Sequence, residues 1–221
     1  MKLQYIILSL GLVAAPVEAV QWTQWTESGA GNAGATGNIA GPGVTVTVDG
    51  PLTYGQTSVP SPATWWSYLG TPWQAFETNP NRPPDSGIVA PSAGVHSITF
   101  SRPVKGVWLN VLSLGQTFSD YYVRWSFDRP FEVLGHGLSY YGDGDLFDAG
   151  RNVLEGHEGS GVVYFSGRLD KLTFSMDREE NWSGFTVGID AVPEPATWGL
   201  MFAGFAKIGW MMRRRAVAVR A

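Results

Sequence analysis

The 221-residue chain carries 15 Lys/Arg against 19 Asp/Glu, is 44% hydrophobic and 13% aromatic, and contains no cysteine. That aromatic and aliphatic content supplies a packed core and excludes a disordered chain, while the missing cysteines exclude disulfides, thiol nucleophiles, thiolate metal sites and a lipoprotein's acylated cysteine. Six basic residues (Lys2, Lys207, Arg213, Arg214, Arg215 and Arg220) and two acidic ones (Glu18 and Glu194) fall in the two chain ends, so nine Lys/Arg face seventeen Asp/Glu in between; an acidic balance with no basic stripe repels phosphate backbones and sets nucleic acid aside as a partner.

The chain opens with Met1-Lys2, an apolar stretch from Leu3 to Ala15, and Val17-Glu18-Ala19 with small residues at the −3 and −1 positions. This order predicts a secretory signal peptide over 1–19, helical in its apolar part and cut after Ala19. A retained anchor is the alternative, but the apolar stretch is well short of the roughly 20 residues that span a bilayer.

Residues 20–191 are read as one domain, loop-rich over 20–91 and strand-rich over 92–191. In the first part, Gly41-Pro42-Gly43, Asp49-Gly50-Pro51 and Asn79-Pro80 are turn signals, and only Val44–Val48 reads as a clear strand. In the second part, Val107, Leu109 and Val111 alternate with Trp108, Asn110 and Leu112. Tyr121, Val123, Trp125 and Phe127 alternate with Tyr122, Arg124, Ser126 and Asp128, the pattern of a half-buried strand with Trp125 inward. Further runs at 98–100, 131–134, 162–165, 172–176 and 185–189 bring the expectation to about eight strands. Strand runs without intervening helical periods predict an all-β fold, an antiparallel two-sheet sandwich of jelly-roll type.

Within that domain, Asp143, Asp145 and Asp148 lie in a glycine-flanked segment where three carboxylates can surround calcium. The helix-loop-helix calcium pattern fails there, because Phe147, Asp148 and Leu154 occupy its fifth, sixth and closing positions; the alternative is a solvated turn. Trp65, Trp66, Tyr140, Tyr141 and Trp182 are candidates for stacking on sugar rings, with Tyr68 and Trp73 nearby in sequence, or else pack the core and cover loops. His96, His136 and His157 have no metal-ligand spacing. Ser160 lacks the glycine two residues before it that a nucleophile elbow needs. Glu155, Glu158, Glu179 and Glu180 offer a carboxylate pair only as any acidic domain does. No catalytic residue, firm metal site or cofactor is expected, and the chain is read as non-enzymatic.

The chain closes with Val192-Pro193-Glu194-Pro195, an apolar stretch over 196–212, and Arg213-Arg214-Arg215 within a basic end reaching 221. The prolines bias Val192 and Glu194 toward extended backbone, which a processing enzyme can grip. Seventeen residues at about 1.5 Å each reach about 25 Å as a helix, close to the thickness of a hydrocarbon core, so a single transmembrane helix is expected. Three arginines resist translocation and would hold the end in the cytoplasm, with the domain outside the inner membrane.

Pro193, Glu194, Pro195, Trp198, Met201, Ala203, Gly204, Phe205, Gly209 and the arginine cluster together resemble the PEP-CTERM sorting signal of exported Gram-negative proteins. Two positions depart from it: Lys207 stands in the apolar stretch, and Ala206 replaces a glycine. The resemblance implies an inner-membrane precursor that an exosortase cuts near Pro193-Glu194-Pro195, with the nucleophile supplied by that enzyme. The mature protein would then be released or attached at the cell surface, often alongside exopolysaccharide. An ordinary anchor that is never cut is the alternative. Signal peptidase and exosortase are thus the expected processing partners, and a structural or adhesive envelope or matrix role the expected function. The rival is a carbohydrate-binding module for exopolysaccharide, assisted by calcium at Asp143, Asp145 and Asp148.

Overall fold

The computed structural model describes residues 19–29, 34–57, 63–69, 71–81, 83, 87–117, 121–191 and 204–207. In chain order the strands are β1 (Val20–Trp22), β2 (Gln24–Ser28), β3 (Ala35–Ile39), β4 (Val44–Asp49), β5 (Leu52–Gln56), β6 (Ala63–Thr64), β7 (Ser67–Tyr68) and β8 (Thr71–Pro72). A 3-10 turn at Gln74–Phe76 follows, then β9 (Ile88–Pro91), β10 (Gly94–Leu114), β11 (Val123–Phe127), β12 (Glu132–His136), β13 (Asp145–Asp148), β14 (Val153–His157), β15 (Gly159–Met176) and β16 (Gly184–Asp190). The named strand pairings are antiparallel throughout, as the alternation predicts. The chain is therefore mostly antiparallel β-sheet.

Two long strands organise it. At 21 and 18 residues, β10 and β15 are too long to run straight across a domain of this size. Their mutual register breaks between Thr99 and Val104, again between Lys105 and Val107, and a third time between Val111 and Leu114. Pro103 has no N–H to give the ladder, and Gly106 adopts φ +55° where a Cβ would collide with the Asp190 carboxyl. These interruptions let each strand bend and change neighbours. The first half of β10 pairs with β4 and with the second half of β15, which continues to β11; the second half of β10 pairs with β16 and with the first half of β15, which continues to β12.

Both halves bury side chains in the same core. Val46, Val48, Ile98, Trp125, Leu172 and Phe174 come from the one set of strands, and Val107, Leu109, Val163, Phe165, Phe185 and Val187 from the other. Trp125 and Phe174 meet Phe185 at ring-centroid distances of 5.7 and 5.9 Å, closing the space between them. A second, smaller core covers the opposite side of β10 and β15. There Leu112 and Val162 pack beneath Trp66, Ala75, Phe76 and Ile88, so these residues cover the sheet.

The first 72 residues of the domain differ from expectation. Among the described residues nine strands precede residue 92, where the alternation points to one. Strand β3 shows why: its inward positions are Ala35, Gly37 and Ile39, too small to make a visible hydrophobic period. Packing against β4 and β2 supplies what the pattern lacks. Conversely, runs 98–100 and 107–111 are one strand, as are 162–165 and 172–176.

The expected signal helix lies outside the described residues, and so does the sorting tail, including Val192, Pro193, Glu194, Pro195, Trp198, Arg213, Arg214 and Arg215. Of the expected transmembrane helix only a turn at 204–207 is described, with all four residues exposed. Among the described residues no helix is long and apolar enough to cross a membrane. Ala19 is described: its carbonyl accepts a 3.1 Å hydrogen bond from the Ala191 amide, just beyond the Val20–Asp190 pair of β1 and β16.

Because Trp125 is completely buried and touches Phe127, Phe174 and Phe185, Trp125→Ala should cost about 3–5 kcal/mol. Urea unfolding of residues 20–191 measures this; a loss below about 1 kcal/mol would contradict the core placement.

Candidate functional site

The aromatic side chains gather at the end of the domain where β10 finishes and β16 begins. Trp65 lies 5.4 Å from Tyr140 edge-on, 6.1 Å from Tyr141 with ring planes 12° apart, and 5.3 Å from Trp182. Tyr141 in turn meets Trp182 at 4.9 Å and Tyr140 at 5.1 Å. Four rings from three separate segments thus form one continuous surface. Tyr140 and Tyr141 are 52% and 41% exposed, and Trp65 and Trp182 are half-buried, so the cluster is open to solvent on one side. Trp66, the fifth aromatic candidate, is only 1% exposed and packs edge-on against Phe76. Trp65 and Trp66 occupy the turn between β6 and β7, where Trp65 stays half-exposed and Trp66 enters the core.

A buried chain of hydroxyls supports the tyrosines. Ser139, Ser160 and Ser113 are all nearly inaccessible. The Ser160 hydroxyl accepts from the Ser113 amide at 3.0 Å and donates to the Ser139 oxygen at 2.8 Å. Ser139 accepts from the Tyr141 amide at 3.3 Å and closes the turn onto the Gly142 carbonyl. At the other end, the Ser113 hydroxyl donates to Glu158, whose second carboxylate oxygen accepts from Thr117 at 3.2 Å. Ser113 and Glu158 both hold φ near +60°, a left-handed conformation unusual for non-glycine residues. They face each other across the third register break of β10 and β15. Strained backbone secured by its own side chains is the kind of geometry that collects at binding sites. The sequence shows Ser160 only as a failed nucleophile elbow; its part in this chain depends on pairings between distant strands.

Glu180 lies beside Glu158. One oxygen accepts from the Gly115 amide at 2.7 Å; the other is buried with no hydrogen-bond partner among the described residues. Burial, then the nearby charges of Glu158 and Asp177, push its carboxyl up to about 7, against the opposing help of Ser183 and the Gly115 amide. Burial also raises the Tyr141 phenol, with Tyr140, Glu158 and Tyr54 adding to it. The other two glutamates are elsewhere: Glu155 is paired with Arg124, and Glu179 caps the Ala93 amide at 3.2 Å.

Asp143, Asp145 and Asp148 are all exposed. Asp145 and Asp148 begin and end β13, three residues apart and hence on opposite faces. Asp148 accepts from the Gly150 amide at 2.8 Å, the local turn bond its residue type favours. Among the described residues no group of three His, Asp or Glu side chains is placed to hold a metal. The histidines are dispersed: His96 is buried on Phe174 and bonded to the Ser92 carbonyl, His136 is exposed, and His157 lies against Tyr122.

A second, shallow cavity of about 320 Å³ lies at the opposite end, lined by Val20, Gln21, Trp22, Ile39 and Asn81 among others. Among the described residues that line it there is no carboxylate, histidine or exposed ring. No family model matches the chain, no curated protein matches it, and no solved structure matches it.

The displaced titration of Glu180 gives stability a pH dependence of stated sign. Its folded value exceeds the ordinary 4.5 of the unfolded chain, so between the two the folded state holds more protons. The contribution is fully present below about pH 4.5 and is lost as pH rises through about 7, on the order of 3 kcal/mol in all. Glu180→Gln should flatten unfolding free energy over that window. A wild-type profile that rises from pH 5 to 7.5, with the variant parallel to it, would refute this.

Proposed function

We propose that this is an exported, exosortase-processed envelope or matrix protein that adheres to polysaccharide through a carbohydrate-binding face formed by Trp65, Tyr140, Tyr141 and Trp182. The observation that carries the reading is the open four-ring surface. Pyranose rings present faces of C–H groups that pack on aromatic rings, and amphipathic Tyr and Trp tolerate half-exposure while supplying large contact area. Carboxylate and hydroxyl groups at its margin, Glu158 and Thr117, are suitable acceptors and donors for sugar hydroxyls. The domain is read as a two-layer sandwich of jelly-roll type, supported by the different neighbours of the two halves of β10 and β15.

The processing part of the proposal rests on the residues at the chain ends: Ala19 for signal cleavage, and Val192, Pro193, Glu194, Pro195, Trp198 and Arg213–Arg215 for sorting. No catalytic role is assigned. The reading assigns the sugar contact to the rings alone, which hydrogen bonds and packing hold without the diverging Asp145 and Asp148.

Isothermal titration of residues 20–191 with a panel of neutral tetrasaccharides should show binding that Trp65→Ala and Tyr141→Ala each weaken by about 2–10-fold, corresponding to the roughly 0.5–1.5 kcal/mol typical of one aromatic contact. Chelator should leave affinity unchanged. Absence of binding to every glycan tested would defeat the adhesion reading. Separately, mass spectrometry of the protein from cells with and without an exosortase should find C-termini near residues 192–195 only when the enzyme is present. Chains ending at Ala221 in both would leave an uncut anchor.

A further inference from the structure

We propose that the aromatic face prefers glycans bearing free amino groups, the ammonium being held against the Glu158 carboxylate at the margin of the rings. The inference rests on the glycan reading above and narrows its ligand class.

Charge around the rings is one-sided. Glu180 feels the charges of both Glu158 and Asp177, and Glu158 also acts on the Tyr141 phenol. Among the described residues, no Lys or Arg forms an ion pair with Glu158 or Glu180. The neighbouring cation is engaged elsewhere: Arg178 lies 3.5 Å from Asp177 and over the Tyr121 ring, 5.2 Å from its centroid. Uncompensated negative charge next to exposed π faces is complementary to an ammonium ion on two counts, by direct attraction and through the ring quadrupoles.

The acceptor is also prearranged. Ser113 and Thr117 each donate to one oxygen of Glu158 and fix its orientation, while the residue itself remains half-exposed. Ser183 adds a separate indication. It is 1% exposed, its hydroxyl is directed to the Glu180 carboxyl, and that hydroxyl and one Glu180 oxygen both lack a well-formed hydrogen bond among the described residues. A cation at Glu158 would favour the ionised Glu180 that burial first, and its like-charged neighbours second, now disfavour. An uronic-acid polymer meets the opposite field, and an N-acetylated sugar offers no charge to it.

The test is titration of residues 20–191, at pH 6 and about 0.15 M salt, with three probes: a β-1,4-linked glucosamine tetrasaccharide, its fully N-acetylated counterpart and an uronate tetrasaccharide. The amine form should bind at least about fivefold more tightly than the acetylated form, and the uronate most weakly. Glu158→Gln should bring the first two within about twofold of each other, and Trp65→Ala should weaken both together. Equal wild-type affinity for amine and acetylated forms would overturn the preference while leaving the glycan site intact, and so would a preference surviving in Glu158→Gln. If that variant does not fold, the wild-type comparison decides alone. Failure of all three probes would remove the site and the preference together.

Discussion

Everything else in the domain depends on the antiparallel pairing of β10 with β15 and on the interruptions that bend it. A strand of 21 residues left straight would present a long two-sided sheet with much of its apolar surface in water. Bending at Pro103 and Gly106 turns Ile98 and Phe100 toward the same interior as Val107 and Leu109, so one pair of strands contributes to both walls of the core. With no disulfide to constrain the unfolded chain, that shared interior has to supply the stability. Trp125, Phe127, Phe174 and Phe185 meet there in tilted and edge-to-face contacts.

The same pairing creates the site. At its far end the ladder breaks once more between Val111 and Leu114, and the two residues left facing each other, Ser113 and Glu158, take left-handed backbone and bond to one another. From there the buried serines lead to the turn carrying Tyr140 and Tyr141. A polar chain in a low-dielectric interior is strongly directional when its members are satisfied. This one fixes where the rings stand. Glu180 is the counterweight: a carboxyl kept beside Glu158 at a cost in stability above neutral pH, in a position where packing alone would favour an apolar residue.

How much of this is legible in the sequence varies with the range of the interaction that decides it. Strand β11 is visible because Val123, Trp125 and Phe127 are large, apolar and two apart. Strand β3 is invisible because Ala35 and Gly37 face inward, and only the neighbouring strands make them core. The joining of two short apolar runs into β10 is hidden behind Pro103, which reads as a breaker but acts as a bend. Among candidate ligand-facing aromatics, residue type suffices to nominate Trp65, Trp66, Tyr140, Tyr141 and Trp182; sorting Trp66 from the rest requires knowing which side of the turn between β6 and β7 faces the sheet. Glu158 and Glu180, 22 positions apart and undistinguished in composition, become a pair only through the β10–β15–β16 register.

Strand β16 runs from the aromatic face to the chain ends. It begins at Gly184, two residues after Trp182 and opposite Leu112, and ends at Asp190, opposite Val20. Asp190 is secured there by the Trp108 indole at 2.8 Å and the Tyr164 hydroxyl at 3.2 Å. Seven residues at about 3.3 Å each separate the ends by roughly 20 Å, so Ala19 and Ala191 leave the domain together at the end remote from the rings. A chain held by a segment following Ala191, whether as a membrane precursor or after attachment at the surface, would therefore carry its aromatic face away from the point of attachment. That polarity suits adhesion to a polymer outside the cell. It also explains how a domain can be tethered through one strand without the tether competing for the surface that the same strand helps to build.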